Sequence, residues 1–342
     1  MPPDGALEFA PTGLIANAHL QSVLPSSPFR RRLLRRRAAP LAAVSRTLLL
    51  DCGEGVRLHG WYAPRPAGEA APPRGLVVLI HGWEGAGDSS YLLSAATRMY
   101  AEGWAVIRLH LRDHGPSHHL NEDIFHSNRL PEVVGAVARI AALFPGEPLC
   151  LAGFSLGGNF ALRVAARADA AGIPLARVMA VCPVLDPVST LEAMEQAPQI
   201  YQRYFMAKWR RSLGIKARLF PERYRFGDLQ RFRGLRDMTD YFVRDYSEYH
   251  DLASYLAGYA IVGDVLATVT APTLLLAAAD DPVIPSRDVA RLARPPSMRV
   301  VVTERGGHCG FLPSLSGDSW IDGVMAEWFA AAGRPRPGAT RP

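Results

Sequence analysis

The stretch that decides the fold is LCLAGFSLGGN, residues 149–159. An apolar run comes first and the helix-forming sequence FALRVAARA follows, which indicates a strand that turns at once into a helix. The pattern Gly-x-Ser-x-Gly, at Gly153, Ser155 and Gly157, falls on that turn. A turn this tight strains the backbone of its middle residue and leaves no space for side chains on either flank, which accounts for both glycines. The pattern predicts that the Ser155 hydroxyl projects from the sheet edge, beside the N–H groups of a helix N-terminus.

Around this stretch, short apolar runs alternate with helix-like segments from about residue 45 onward. Several runs, such as LVVLI at 76–80, are continuously hydrophobic, which is typical of strands covered by helices on both faces. We predict strands at Thr47–Leu50, Arg57–Ala63, Leu76–His81, Ala105–Leu111, Leu149–Phe154, Val178–Val184, Thr273–Ala279 and Arg299–Thr303. Segments of crossover-helix length lie between them at Ser89–Ala101, Leu130–Leu143 and Leu156–Ala168. The alternation predicts an α/β fold with a mainly parallel eight-stranded sheet and helices on both faces.

The alternation is interrupted between about residues 186 and 262. This stretch holds 14 aromatic residues interleaved with 12 lysines and arginines, and it has no β-type run. We therefore predict an inserted helical cap at 186–262, between the core segments 46–185 and 263–332. An N-terminal extension with an arginine-rich run, 1–45, and a mobile proline-rich tail, 333–342, complete the predicted organisation. The alternative for 186–262 is a plain helical subdomain with no part in substrate handling.

Composition excludes several classes of protein. With 49% hydrophobic and 20% charged residues the chain can bury a large core, so general disorder is excluded. Neither lysine, Lys208 or Lys216, stands in a G-x-x-x-x-G-K motif, which excludes a P-loop nucleotide site. The four cysteines lie far apart without a Cys-x-x-Cys pair, which argues against a zinc ribbon or a disulfide scaffold. No apolar stretch reaches the roughly 18 residues of a membrane span, and the N-terminus lacks a signal-peptide layout, so we expect a soluble cytoplasmic protein.

The excess of positive charge is local. The chain has 38 basic and 32 acidic residues, and six arginines lie in one run, Arg30–Arg32 and Arg35–Arg37. Without that run the two signs balance. The run could hold the protein weakly on an anionic membrane, at around 1 kcal/mol per arginine near the surface. The favoured interpretation is a solvated or mobile basic segment, and no nucleic-acid partner is expected.

A serine hydroxyl is a poor nucleophile at neutral pH and needs a base and an orienting acid. His308, in ERGGHCGF directly after the last strand-like run, is the candidate base, because glycines on both sides would let its ring reach across the strand ends. Asp280 and Asp281 follow TLLLAAA, and either could be the acid. We favour Asp281, directly before Pro282, with Asp280 capping the turn. The chain order serine, aspartate, histidine is that of the α/β-hydrolases.

The charge that develops on an attacked carbonyl oxygen needs two N–H donors. The backbone N–H of Leu156, after the serine, is one candidate. Trp83, in the glycine-bearing turn HGWEG at 81–85, is the other, and His81 is expected to brace this loop rather than act as a base. Four aromatic residues of the predicted cap are candidates for lining an apolar acyl pocket, namely Tyr201, Tyr204, Phe205 and Trp209.

These motifs together resemble the YheT-like α/β-hydrolases, bacterial relatives of the eukaryotic ABHD-type hydrolases. The resemblance covers nearly the whole chain and rests on FAPT at 9–12, NAHLQSVLP at 17–25, HGWEGAGDSSYL at 81–92, GFSLGGN at 153–159, IYQRYF at 200–205, APTLLLAAADDP at 271–282 and ERGGHCGF at 304–311. It implies Ser155, Asp281 and His308 as a catalytic triad and the hydrolysis of a carboxylic ester. Relatives act on short-chain esters, glycerides or phospholipids, or transfer acyl groups to alcohols.

Three segments depart from the family pattern. LRDHGPSHHL at 111–120 stands where relatives have an Arg-Gly-Cys-Ser-Gly type of turn, and FHSNRL at 125–130 lacks the usual Gly-Glu-Thr after His-Ser. In the cap, YFVRD at 241–245 and SYLAG at 254–258 replace a glycine-rich turn and paired tyrosines. These changes concern the pocket walls more than the triad, so they bear on the choice of substrate.

The residues predict a serine hydrolase. Ser155 attacks an ester carbonyl, His308 accepts the proton, Asp281 orients the ring, and water resolves the acyl-enzyme. This chemistry needs a small-molecule acyl ester and no metal or organic cofactor. A lipase or phospholipase, a thioesterase and an acyltransferase on the same triad remain alternatives. A binding protein that keeps the fold without the chemistry is the alternative from another class.

A zinc site is a further alternative. His110, His114, His118 and His119 cluster in sequence with Asp113, and imidazoles at such spacing could bind the metal. No H-E-x-x-H motif is present, and Pro116 interrupts helical spacing. The favoured interpretation is a loop of surface histidines.

Overall fold

A computed structural model describes residues 7–66, 74–315 and 317–332 of the chain. Its centre is one eight-stranded sheet in the order β1-β2-β4-β3-β5-β6-β7-β8. The strands are β1 Arg46–Asp51, β2 Arg57–Ala63, β3 Leu76–Ile80, β4 Ala105–Leu109, β5 Leu149–Phe154, β6 Leu175–Val181, β7 Thr273–Ala278 and β8 Met298–Thr303. β2 is antiparallel to both β1 and β4, and all other neighbours are parallel. The predicted mainly parallel sheet of eight strands is confirmed.

Apolar side chains cover both faces of this sheet. Every residue of β3, β4, β5 and β7 is buried. Successive residues of a strand point to opposite faces, and in β3 Leu76 and Val78 join one apolar cluster while Val77 and Leu79 join another. Continuous hydrophobic runs are therefore required here, because neither side of these strands faces water.

Eleven α-helices are present in the described part of the chain. They are α1 Ala18–Val23, α2 Pro28–Arg37, α3 Ala39–Val44, α4 Ser90–Ala101, α5 Leu130–Leu143, α6 Leu156–Ala165, α7 Pro187–Gln196, α8 Gln199–Leu219, α9 Leu235–Tyr246, α10 Leu252–Gly258 and α11 Trp320–Ala330. Five short 3-10 helices lie at Gly13–Ala16, Leu24–Ser26, Leu229–Arg231, Asp264–Leu266 and Ser286–Arg291. α4 packs with α2 and α11, whereas α5 packs with α6. No helix of the described residues is long and apolar enough to cross a membrane.

The predicted insertion at 186–262 is described throughout and contains α7, α8, α9 and α10 but no strand. Its aromatic rings pack against one another, for example Phe226 on Phe242 with ring centroids 5.2 Å apart. Residues of this stretch share one apolar cluster with Leu76 and Val78 of β3, so it is packed onto one face of the sheet. Its limits as a separate unit stay a prediction.

The arginine-rich run forms most of α2, and the interpretation of it as a solvated or mobile segment is wrong for Arg30. That side chain is only 3% exposed. Its guanidinium donates to the carbonyl oxygens of Leu315, at 3.3 Å, and Gly317, at 2.7 Å. Helical periodicity explains the difference, because one side of α2 must face the protein and Arg30 lies on that side with Leu34. The predicted mobile tail, 333–342, lies outside the described residues.

Candidate active site

Ser155 occupies the turn between β5 and α6 with a φ of 54° and a ψ of −121°. A residue other than glycine rarely has a positive φ, and the strain is sustained only where the surroundings impose it. A Cβ atom added at Gly153 would lie 2.0 Å from the carbonyl oxygen of Gly157. One added at Gly157 would lie 2.4 Å from the carbonyl oxygens of Ile80 and His81. The predicted steric need for both glycines is confirmed, and it holds the Ser155 side chain at the carboxyl edge of the sheet.

The three predicted triad residues meet at this edge. Nε2 of His308 lies 3.0 Å from Oγ of Ser155, and Nδ1 of His308 lies 2.9 Å from Oδ2 of Asp281. The other carboxylate oxygen of Asp281 accepts hydrogen bonds from the backbone N–H groups of Val283 and Ile284, at 2.8 and 3.0 Å. The acid is thus fixed from one side while it faces the imidazole with the other.

Asp280, the alternative acid, has a different contact. Its Oδ1 accepts a hydrogen bond from the backbone N–H of Gly307 at 2.9 Å, so it braces the loop that carries His308. Burial raises the pKa of this carboxyl, and the neighbouring Asp281 adds to the effect. Of the two adjacent carboxylates, Asp281 is the one within hydrogen-bond distance of the imidazole.

Charge distribution favours a protonated imidazole in the free site. Burial is the largest single effect and opposes the charged ring, but the charge and hydrogen bond of Asp281 together with the neighbouring Cys309 raise the pKa of His308 to about 9. An opposite charge in contact stabilises the imidazolium that forms when a histidine accepts a proton. The ring can take the Ser155 proton only in its neutral form, which a pKa of about 9 makes more abundant as the pH rises towards that value.

Backbone amides of the loop after β3 are almost all engaged. Four of them donate to protein atoms: Gly82 to the Tyr91 hydroxyl, Glu84 to Nε2 of His114, Ala86 to the Ser89 hydroxyl and Gly87 to Nε2 of His110. The Gly85 N–H donates to the carbonyl oxygen of Gly82. Among residues 82–89, which are all described, the N–H groups of Trp83 and Asp88 have no protein acceptor, and Trp83 is the one next to Gly82.

This loop runs directly against the serine. A Cβ atom added at Gly82 would lie 3.1 Å from Cβ of Ser155. Leu156 is the first residue of α6, so its N–H has no acceptor inside the helix. The N–H groups of Trp83 and Leu156 are thus two donors near Ser155 that have no acceptor within the described part of the protein.

A cavity of about 740 Å³ opens over these residues. Its wall includes Ser155, Leu156, Trp83 and His308, together with Tyr204, Phe205 and Trp209 from α8. Apolar side chains from α9 and the loop after β7, among them Phe242, Val243, Val283 and Ile284, complete the inner surface. A volume of this size is in the range of small-molecule sites.

The prediction for Tyr201 needs correction, because this residue is not part of the cavity wall. Its ring is buried, and its hydroxyl lies 3.0 Å from Nδ1 of His19 in α1. Tyr201 is in the first turn of α8, where the helix meets the N-terminal segment. The side chain therefore joins α8 to that segment instead of facing the cavity.

The interpretation of residues 110–119 as a loop of surface histidines is wrong for all but His119. His110, His114 and His118 are buried. Burial is possible because their ring nitrogens have hydrogen-bond partners inside the protein. His110 contacts His59 and the Gly87 N–H, His114 contacts the Arg112 carbonyl and the Glu84 N–H, and His118 lies 2.9 Å from the Ser212 hydroxyl. The Asp113 carboxylate pairs with Lys216 at 2.9 Å.

Three side chains of types that can bind a metal ion lie together in the site itself. Ligand atoms of Cys182, His308 and Cys309 all lie within 4.8 Å of one another, and no other such group occurs among the described residues. Both nitrogens of His308 already face Asp281 and Ser155. Both thiols are buried.

Sequence reasoning missed the contribution of the N-terminal segment. Oγ of Ser22 accepts a hydrogen bond from the His308 N–H at 2.8 Å. The amide of Gln21 bonds both the N–H and the carbonyl of Leu312, at 2.8 and 2.9 Å. The one available signal was the likeness of NAHLQSVLP to the family's N-terminal segment, which gave no reason for its presence.

Comparison with known proteins agrees with this geometry. Residues 75–315 match the family model described as alpha/beta hydrolase fold. The chain belongs to the α/β-hydrolase fold family. The resemblance to its YheT-like members is confirmed by "Putative esterase YheT" of Escherichia coli (strain K12), which is 26% identical over 327 residues, 94% of this chain and 92% of that protein. "Phospholipase ABHD3" of Mus musculus is 22% identical over 72% of this chain and 60% of its own length.

Solved structures of other α/β-hydrolases share the fold. The 2,6-dihydroxy-pseudo-oxynicotine hydrolase superposes with a TM-score of 0.56 at 17% identity, over 87% of this chain and 70% of that one. Est1E from Butyrivibrio proteoclasticus gives a TM-score of 0.52 at 15% identity, over 84% and 98% of the two chains. At these identities the likeness concerns the fold alone. The chain is a hydrolase by family, with relatives that carry esterase names.

Proposed function

We propose that this α/β-hydrolase cleaves carboxylic esters of short to medium acyl chains, or glycerides, through an acyl-enzyme on Ser155. The proposal rests on the hydrogen bonds that join Ser155 to His308 and His308 to Asp281. Ser155 and His308 line a cavity whose wall also contains aromatic rings. Residues 186–262 are proposed to act as the cap of that cavity.

The proposed reaction has two steps. Oγ of Ser155 bonds to the ester carbonyl carbon while Nε2 of His308 takes its proton, and the imidazolium then gives that proton to the leaving alkoxide. Water next attacks the acyl-enzyme, losing a proton to His308, which returns it to Ser155 as the acid departs. The Trp83 and Leu156 N–H groups stabilise the oxyanion in both steps. No metal or organic cofactor takes part in this scheme.

Wall chemistry supports an uncharged acyl chain. Phe205, Trp209 and Phe242 line the cavity. Phe205 stacks on Trp83, Trp209 meets Trp83 edge to face, and Trp209 and Phe242 are tilted to each other, with ring centroids 5.4, 5.3 and 5.1 Å apart. An acyl chain gains free energy by leaving water for such a surface.

A weak contact of the exposed α2 arginines with an anionic membrane is a further part of the proposal. Liposome co-sedimentation of the protein with and without these arginines tests it.

The deciding experiment is hydrolysis of p-nitrophenyl esters from acetate to palmitate by the wild type and by Ser155→Ala. We expect the variant to lose turnover by at least about 10³-fold and to lose labelling by a fluorophosphonate probe. Ser254→Ala, the same change at an exposed serine outside the cavity, is the matched control. The dependence on chain length separates esterase from lipase behaviour.

Two further outcomes separate the alternatives. Faster turnover with acyl-CoA than with oxygen esters would favour a thioesterase, and ester products formed in the presence of glycerol would favour an acyltransferase. A wild type with neither turnover nor fluorophosphonate labelling would remove the hydrolytic proposal and leave a binding protein of this fold.

A further inference from the structure

The backbone of Glu84, the residue after Trp83, is held from two sides. Its N–H donates to Nε2 of His114 at 3.0 Å, and its carbonyl oxygen accepts from Nζ of Lys208 at 2.6 Å. His114 belongs to the loop after β4 and Lys208 to α8. Glu84 itself has a φ of 54°, which a residue of this type adopts only when its surroundings impose it. Two separate elements therefore fix the strained point of the loop that presents the Trp83 N–H.

The hydrogen bonds of His114 define its tautomer. Nδ1 lies 2.6 Å from the carbonyl oxygen of Arg112, which can only accept, so Nδ1 carries the hydrogen. Nε2 is then left with a lone pair for the Glu84 N–H. Burial, reinforced by the neighbouring His81, holds the pKa of His114 well below its usual range. The ring is thus a neutral acceptor, and it does not compete with the substrate for the Trp83 amide.

α8 also contacts the side chain of Trp83. The indole stacks on Phe205 with ring centroids 5.4 Å apart and planes 12° apart, and it meets the edge of Trp209 at 5.3 Å. Lys208 lies between these two positions in α8. Backbone and ring of the same short segment are thus tied to one helix of the cap.

We propose that His114 and Lys208 are positioning residues for the oxyanion hole, which hold Glu84 so that the Trp83 N–H stays directed at the reacting carbonyl oxygen. The inference rests on the proposed function and adds that α8, through Lys208, connects the cap to the hole. Both residues line the cavity and act through the backbone of Glu84, and neither is hydrogen-bonded to Ser155 or His308.

The test compares His114→Phe with His114→Gln. Phenylalanine fills the space without an acceptor, whereas the glutamine Oε1 can replace Nε2. Losing one oxyanion donor outright costs roughly 10²–10³-fold in kcat, so we expect a misdirected donor in His114→Phe to cost about 10- to 100-fold, with KM changed less than about twofold. Affinity for a tetrahedral adduct of butylboronic acid should fall by the same factor. His114→Gln should recover most of both.

Variants of Lys208 give a second, independent test. The side chain is partly exposed, so we expect its replacement to leave the core intact. Lys208→Met should lower kcat and boronate affinity about tenfold, and Lys208→Arg should restore them. His119→Phe, at the exposed neighbouring histidine, is the matched control and should behave as wild type. Thermal unfolding of each variant identifies any that fail to fold, in which case the Lys208 pair decides.

The possible failures are distinguishable. If the wild type is active and both His114→Phe and Lys208→Met keep kcat and boronate affinity within about threefold of wild type, the positioning role is wrong and the proposed function stands. If the wild type neither turns over esters nor binds the boronate, the proposed function fails and the positioning role fails with it. If KM changes in these variants while kcat and boronate affinity stay at the wild-type values, the inference is also contradicted.

Discussion

Oγ of Ser22 accepts a hydrogen bond from the backbone N–H of His308 at 2.8 Å, although 286 positions separate the two residues in the chain. The contact is part of a close fit, since a Cβ atom added at Gly307 would lie 2.5 Å from the carbonyl oxygen of Ala18. Helix α1 is therefore built into the scaffold that holds the proposed base. An extension that precedes the sheet in sequence thereby becomes part of the site.

Ser22→Ala should reduce activity chiefly through the loop that carries His308. The change leaves the His308 N–H without its acceptor, which costs about 1–3 kcal/mol when the group is buried. We expect kcat for p-nitrophenyl butyrate to fall about 5- to 50-fold with little change in KM. Ser22→Thr keeps the hydroxyl and is the matched variant. Equal kcat for wild type and Ser22→Ala would show that α1 does not position the base.

The two adjacent aspartates should differ sharply. Asp281→Asn removes the charge that faces Nδ1 of His308, and such a change in a triad lowers kcat by roughly 10⁴-fold. Asp280→Asn keeps an oxygen acceptor for the Gly307 N–H, so we expect less than about a tenfold loss. Steady-state kinetics on one ester compares the two variants directly. Losses of similar size would contradict the assignment of Asp281 as the acid.

The acidic limb of the pH profile of kcat/KM should lie at an unusually high pH. His308 can accept a proton only when neutral, and although burial lowers the pKa of its imidazole, Asp281 and Cys309 together raise it to about 9. Below that pH the protonated fraction grows, so kcat/KM should fall about tenfold per pH unit and rise as pH increases towards 9. The effect of Asp281 gives a second expectation, that Asp281→Asn moves the limb to lower pH. Titration of released acid in a pH-stat measures both.

A wild-type limb near the ordinary histidine value of 6.5 would contradict the stated effect of Asp281. Wild type at two salt concentrations is the control, because a contact between buried groups is little screened. A limb that moves strongly with salt would point to exposed charges instead.

Local sequence patterns were sufficient to predict the sheet. Each of the eight predicted strands overlaps an observed one, because a strand buried on both faces needs a continuous apolar run. β6 shows where the pattern fails, since it begins at Leu175 and not at Val178. Arg177 interrupts the apolar run there and is partly exposed within the strand. The strand ends at Val181 because Cys182, with a φ of 43°, leaves the extended conformation.

Residues that hold the site from a distance could not be predicted in the same way. The pattern at 110–119 is polar, with glycine and proline, and such a stretch is typical of an exposed loop. Burial of His110 and His114 depends on backbone donors at Gly87 and Glu84, which only the folded chain brings to them. The contact between Ser22 and His308 depends in the same way on tertiary packing. The residues proposed for the chemistry stand in recognisable sequence motifs, whereas the residues that support them do not.

Cap aromatic residues should control the choice of acyl length. Trp209 lines the cavity and contacts both Trp83 and Phe242, with ring centroids 5.3 and 5.1 Å apart. Trp209→Ala removes apolar surface that a long chain would cover, and at about 25 cal/mol per Å² a lost contact of some 50–60 Å² lowers kcat/KM about tenfold. We expect the loss to be about tenfold larger for octanoate than for acetate, whose acyl group is too short to need this surface.

Tyr201→Phe is the matched control for this change. It removes only the hydroxyl that contacts His19, and Tyr201 does not line the cavity. The ratio of kcat/KM for octanoate to that for acetate should therefore stay at the wild-type value in Tyr201→Phe and fall in Trp209→Ala. A ratio that falls in both variants would mean that the packing of α8 as a whole, and not the surface of Trp209, sets the acyl preference. A ratio unchanged in both would place the acyl chain elsewhere in the cavity, away from α8.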